Sequence, residues 1–209
     1  LFQHDKRNQC DPVQDGKRSH RNRQDQDVGY QMSDWKLLNT STPSGASSVS
    51  FTDLTGYKIF KFVGIDLFPS VATQEFRFQV NASGGSGFNE TMTTTFFDAD
   101  HTETGTGTLN YETNDDQAQG TAYQKLTRAT GGDADATAAG ELILFNPAST
   151  TYVKHFYSRF NEYFSSSPRT LDDFVAGYIN TTTAITEIDF KFTSGTVTGV
   201  IKQYGLVAL

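Results

Sequence analysis

Two stretches of the chain gather side chains that could do chemistry. In TEIDFKF (186–192), Glu187, Asp189 and Lys191 alternate with Ile188, Phe190 and Phe192. On a strand this alternation puts two carboxylates and an ammonium on one face and an apolar trio on the other. Paired carboxylates are the equipment of a glycoside hydrolase, whose retaining form needs a nucleophile and a separate acid/base about 5 to 5.5 Å apart. The second stretch, FDADHTE (97–103), collects Asp98, Asp100, His101 and Glu103. These oxygen and imidazole donors could hold calcium or a transition metal. The stretch lacks the glycine and spacing of an EF-hand loop, so the expectation is a charged hairpin tip, with a metal site as the alternative.

EIDF resembles the E-x-D-x-E strand of laminarinase-like glycosidases, which also have sandwich folds. That motif would place a second glutamate at position 191, where this sequence has Lys191. With the acid/base partner missing, the expected reading is a solvated strand face with a neutralising lysine. Hydrolase triads find no support either. Of the four histidines, His4 and His20 fall in a polar N-terminal stretch, His101 on the acidic tip, and His155 between Lys154 and Phe156. His155 is expected to be structural, beside a sheet edge or subunit contact. No serine stands in a G-x-S-x-G elbow, and no phosphate loop or dinucleotide fingerprint occurs, so neither an enzyme nor a cofactor is expected.

These residues need elements to hold them, and composition says which kind. The aromatic share is carried by 17 Phe and 9 Tyr against 2 Met and 1 Trp, in a chain rich in Thr, Ser and Gly. Such usage favours strands and turns over helices. A length of 209 residues suffices for one sizeable core. A net charge of −7 offers no basic surface for non-specific nucleic-acid binding, so nucleic acid is not an expected partner. The single Cys10 permits neither an internal disulfide nor a thiolate metal cage. No run approaches a membrane span, and residues 1–26 lack the apolar core of a secretory signal; a soluble protein with no membrane partner is expected.

Composition changes near residue 31. Residues 1–31 hold six Lys/Arg and five Asp with only scattered apolar side chains and no periodicity. Alone, such a segment cannot offset its ordering entropy. We read 1–31 as an extended polar arm, expected to lie along a neighbouring subunit, with Arg18, Arg21 and Arg23 available to acidic partner surfaces. The domain would be 32–209. From Ser47 onward strands are expected: 57–65, 74–80, 90–97, 121–128, 140–145, 151–160, 184–192 and 196–205, parted by polar turns. Only LDDFVAG (171–177) suggests a helical turn. Tyr57, Ile59, Val63 and Ile65 share one face of their strand while Phe60 and Phe62 occupy the other, which predicts cover on both sides. Tyr57, Ile59, Phe60 and Phe62 are therefore candidate oligomer contacts, with a trimer as the guess. About ten strands without a credible helix point to an all-β, two-sheet antiparallel β-sandwich, jelly-roll-like.

Several of these strand segments, read together, resemble a group of tailed-bacteriophage virion proteins: WKLLNTSTPSGASSVSFTDLTGYKIFKFVGIDLFPS at the domain start, NASGGSGF, GELILFNP, and the closing AITEIDFKFTSGTVTGVIKQYGL. That group typically opens on Trp, continues into an "SFTGLxxY" segment and ends in a hairpin closing on "LYGi". The match runs over most of 32–206, with two departures: the arm 1–31, and Gln203 where leucine is more usual. The resemblance implies a jelly-roll-like structural protein of the virion, as capsid decoration, head fibre or tail fibre, contacting capsid, portal or tail proteins. It supplies no catalytic residues. The alternative expectation is a carbohydrate-binding or receptor-binding module of a fibre, with Tyr111, Tyr123, Asn110 and Asp115 as candidate glycan contacts.

Overall fold

The structure, a computed structural model, describes residues 34–206. The arm 1–31, with Arg18, Arg21 and Arg23, lies outside the described residues. Fourteen strands follow in chain order: β1 (Trp35–Ser41), β2 (Ser44–Ala46), β3 (Val49–Phe51), β4 (Ile59–Pro69), β5 (Phe76–Ala82), β6 (Met92–Thr102), β7 (Gly107–Tyr111), β8 (Ala118–Gly120), β9 (Gln124–Lys125), β10 (Ala138–Phe145), β11 (Lys154–Phe164), β12 (Arg169–Ile179), β13 (Ile185–Phe192) and β14 (Val197–Leu206). No helix occurs among the described residues. The chain is all-β, two antiparallel sheets packed as a sandwich. The larger sheet runs β1-β14-β4-β10-β11-β12-β6-β7, with β2 also on β14 and β8 on β6; the smaller runs β3-β13-β5-β9.

Phenylalanine fills the space between the sheets. Phe190 on β13 stacks on Phe76 at 5.7 Å and meets Phe62 at 5.4 Å and Phe51 at 6.2 Å. Phe78 meets Phe156 edge-on at 4.9 Å. Ile188, Phe190 and Phe192 are all buried, as their alternation predicts. Tilted and edge-to-face rings at these separations add to the burial itself.

The structure corrects four expectations. LDDFVAG is the middle of β12, not a helical turn. Its period is 2, with Leu171, Asp173 and Val175 inward; an aspartate in an inward slot hid the alternation. Residues 121–128 contribute only the two-residue β9, because Gln124 and Thr127 bond other elements instead of a long ladder. Strands begin at Trp35, ahead of Ser47. Finally, Phe60 and Phe62 are core residues, 0% and 1% exposed, and cannot form a subunit contact. Tyr57 packs edge-on against Phe60 at 5.8 Å; of the four apolar interface candidates only Ile59 keeps a place on the outer face of β4.

The expected closing hairpin is not one: β13 lies in the smaller sheet and β14 in the larger, so residues 193–196 carry the chain from one sheet to the other, and the closing segment reads as two core strands rather than a paired ribbon. β14 pairs with β4 through a bulge at Gly199, whose φ of 133° brings the backbone against Asp66 O, a place for no side chain. Gly205 lies flat under the Tyr57 ring, and an added Cβ would come within 2.5 Å of Tyr57 Cγ. Gln203 is buried and donates from Nε2 to Asp53 O at 2.9 Å, so the departure from leucine satisfies a carbonyl in the 52–58 turn. Gly205→Val is expected to cost about 1–3 kcal/mol through overpacking, checked by urea unfolding. Gly205→Val combined with Tyr57→Ala should recover part of that loss.

Candidate functional site: a buried acid cluster and an aromatic sheet face

β11, β12 and β6 are neighbours in the large sheet, and strand register fixes which side chains meet. Asp98 on β6 is the direct partner of Asp173 on β12; Phe160 on β11 is the next residue in that row, with Glu162 two positions along on the same face. All three acids point inward, with 0%, 0% and 1% exposure. A segment from Glu112 to Gly131 covers them.

That segment is held by pairing of β8 with β6 and of β9 with β5, by bonds of Thr127 and Thr130 to the start of β5, and by a set of contacts to carboxylates. Arg128 N and Ala129 N donate to Glu162 Oε1 at 2.8 and 2.7 Å, and Thr130 Oγ1 donates to Glu162 Oε2 at 2.6 Å. The Arg128 guanidinium reaches Asp98 Oδ2 at 3.1 Å, Glu112 Oε1 at 3.2 Å and Asp115 Oδ2 at 3.7 Å. Lys125 pairs with Asp115 and, at 3.2 Å, with Glu75. Neither oxygen of Asp98 or Asp173 has a hydrogen-bond partner of good geometry; the Asp98 contact with Arg128 is an ion pair alone. Asp173, buried and without such a partner, favours its neutral form.

Burial raises the Asp173 carboxyl well above its ordinary range, helped by the charges of Glu162 and Asp98 and opposed by Arg128. Burial also raises Glu162, outweighing the hydrogen bonds donated by Thr130, Ala129 and Arg128. Glu112 is raised by burial, against the pull of Arg128 and with the push of Asp98. Burial works against the Arg128 charge, yet Asp98, Glu112, Asp173 and Asp115 together strengthen its hold on its proton. Beside the cover opens a cleft of about 370 Å³, lined by Glu112, Asp115, Lys125, Arg128, Phe164 and Arg169 among others.

The metal-ligand candidates separate. Asp98 is buried on Arg128, and Asp100 is held by Arg169 at 3.1 Å and by Thr108. Strand alternation sends His101 to the exposed side of β6, and Glu103 lies past its end. Among the described residues no three His, Cys, Asp or Glu side chains converge as metal ligands. The stretch also begins inside β6 and is no simple hairpin tip.

Glu187 and Asp189 need correction as well. Asp189 is buried, accepting from Ser50 Oγ at 2.5 Å and Tyr123 OH at 3.0 Å, while Glu187 accepts from Asn81 Nδ2 at 2.9 Å. The expected wet face is covered because Tyr123 folds over it, with Lys191 Nζ 3.9 Å from the centre of that ring. Burial, then Asp189, raises the Tyr123 phenol. Tyr123 and Asp115 are thus engaged in internal contacts. Tyr111 remains 55% exposed with its OH on Asp116, and Asn110 donates to Thr108 Oγ1. His155 lies exposed on β11, an interior strand rather than an edge, edge-on to Tyr178 at 6.4 Å.

The outer face of the large sheet carries the second feature. One row in continuous register reads Tyr111, Phe97, Phe174, Arg159, Glu141, Val63 and Lys202 across seven strands. Phe97 and Phe174 stack at 4.9 Å with planes 3° apart, and the Arg159 guanidinium lies 5.0 Å from the Phe174 ring centre while gripping Asp172 through two nitrogens. Tyr157, also exposed, closes a shallow groove of about 280 Å³ over Ala176 with Phe97, Phe174, Arg159 and Glu141.

Sequence reasoning missed Arg128, Glu162 and Asp173. Each is unremarkable in sequence, and only the pairing of β6, β11 and β12 makes them one cluster. Comparison with protein-family models, curated proteins and solved structures gave no match to this chain.

Proposed function

We propose that this chain is a non-enzymatic structural protein of a bacteriophage particle, a capsid-decoration or fibre subunit. One observation carries the reading: the separated segments that resemble virion proteins form a single unit in space. From the "SFTDLTGY" segment, Phe51 and Leu54 are buried, Ser50 bonds Asp189, Asp53 O accepts from Gln203, and Tyr57 covers Gly205. From the two closing strands, β13 and β14, come Asp189, Phe190, Gln203 and Gly205. A pattern whose parts interlock specifies one module, and the resemblance then concerns that module. In this reading the arm 1–31 fastens the sandwich to neighbouring subunits or to other virion proteins, and the domain works as a homo-oligomer. Proteomics of purified particles from the phage encoding this chain should find it in many copies; its absence from particles would remove the reading.

A second reading, a glycan-binding module of a fibre, is favoured by the outer aromatic face. Tyr157, Phe97 and Tyr111 offer exposed rings, and Arg159 and Glu141 flank the groove with a donor and an acceptor, which is how ring faces and polar groups share a sugar. A glycan array probed with the full chain and with Tyr157→Ala tests it. Binding lost in the variant supports it, and no binding by the full chain removes it.

A further inference from the structure

β7 ends the larger sheet, and among the described residues no strand pairs with its outer edge. Its sequence, GTLNY (107–111), holds no charge and no proline, and its ladder with β6 runs without a bulge. Charges, prolines and bulges are the usual devices that keep a strand edge from pairing with another chain. The other long edge strand, β1, has an irregularity between Leu37 and Asn39, and β3 and β9, which end the smaller sheet, are three and two residues long.

The phase of β7 follows from two bonds. Thr102 N donates to Thr106 O at 2.8 Å and Glu112 N to Phe96 O at 2.9 Å, so the even-numbered residues of this run turn their N–H and C=O groups towards β6. Gly107, Leu109 and Tyr111 turn theirs to the open edge. The same three residues lie on the outer face of the sheet, since Asn110 between them is the partner of the inward Asp98. There Leu109 is 74% and Tyr111 55% exposed.

We infer that β7 pairs antiparallel with β7 of a second copy of this chain, about a two-fold axis through Leu109. That axis sets Leu109 against Leu109 of the second copy and Gly107 of each copy against Tyr111 of the other. Each of these pairs exchanges both of its backbone bonds. On the outer face each Tyr111 ring then lies over a glycine, where no side chain competes for the space, and the two leucines meet at the axis. On the opposite face Thr108 meets Asn110, a polar pair that hydrogen-bonds at 3.1 Å within the single chain. A register one step either way loses the leucine contact and carries an end residue past the strand. Residues 1–31 lack the alternation that a strand laid along this edge would need. The pairing names the contact of the homo-oligomer proposed above and rests on that part of the reading, whereas the place in a particle has its own test.

Sedimentation of the full chain over a concentration series reads the pairing directly. The parent should form dimers or species built from them. Leu109→Lys should raise the dissociation constant about tenfold or more, because it removes the leucine contact and sets two ammonium groups face to face. Leu109 is exposed in the single chain, so this variant should keep the parent's unfolding curve. In a Cys10→Ser background, Leu109→Cys should link two copies on oxidation, since paired Cα atoms about 5.5 Å apart lie within disulfide reach. Tyr111→Cys should not, its two positions being about 13 Å or more apart along the strands. A parent that stays monomeric overturns the pairing and the homo-oligomer together, and slow hydrogen exchange at Leu109 and Tyr111 in that monomer would assign the edge to residues 1–31 instead. Association unchanged in a folded Leu109→Lys, no linking by Leu109→Cys, or equal linking by both cysteine variants overturns the pairing alone.

Discussion

Replacing Arg128 with methionine is expected to cost about 3–5 kcal/mol of stability at neutral pH, the usual loss when one member of a buried ion network is removed. For a domain of this size that is a fall in Tm of roughly 6–20 °C. The cause lies in what stays behind. Among the described residues Asp98 and Glu112 have no other cation, whereas Asp115 keeps Lys125, so the buried Asp98 carboxylate above all stands in a desolvated space with nothing opposite. Methionine keeps the aliphatic packing of the arginine stem, so the loss reports the charge and its hydrogen bonds. The penalty should shrink on acidification, since the acids can then take protons. Adding Asp98→Asn to Arg128→Met should recover part of the loss, and a double-mutant cycle measures how much of the coupling is direct. Unfolding curves at pH 7 that superimpose for Arg128→Met and the parent would refute the account.

Phe190→Ala is the second large effect, expected at about 3–5 kcal/mol. Phe190 lies where the sheets meet: it stacks on Phe76 and touches Phe51, Phe62 and Phe78, all buried. Those rings sit on three strands, β3 and β5 of the smaller sheet and β4 of the larger, and cannot collapse together into the vacated space without moving backbone. A cavity therefore remains, and the upper half of the range is expected. Phe190→Leu, which fills most of the volume, should cost under about 1.5 kcal/mol. The loss should be the same at pH 4.5 and pH 7.5, because no charged group is involved. That contrast with Arg128→Met separates the two forces holding the molecule, and calorimetry of both variants at two pH values measures it.

The core was the most legible part of the sequence. Phe76, Phe78 and Val80, and likewise Ile188, Phe190 and Phe192, alternate with polar residues, and a strand has no other way to bury such a set. β12 was misread because its inward positions hold Leu171, Asp173 and Val175. Hydrophobic periodicity fails wherever a polar residue occupies a core slot. Phe60 and Phe62 were misassigned for a related reason: in YKIFKFVGI both faces carry apolar residues, so alternation alone does not say which one the second sheet will cover. Asp189 looked solvated because nothing local announces that Tyr123, 66 residues earlier, will lie across it.

What the sequence alone determined, then, is the class of fold and the membership of its core, because side-chain direction in a strand repeats every two residues and apolar surface must leave water. It also marked the two closing strands, where Tyr57 rests on Gly205, but not that they part into different sheets instead of pairing as a hairpin. Only the tertiary structure decided which acids meet. Asp98, Glu112, Glu162, Asp173 and Arg128 are spread over 76 residues, and their common fate depends on strand order β11-β12-β6 and on the path of the segment above it. Electrostatic energy depends on distance through space and on exclusion of water, and neither quantity exists for a residue until its neighbours across the sheet have been placed.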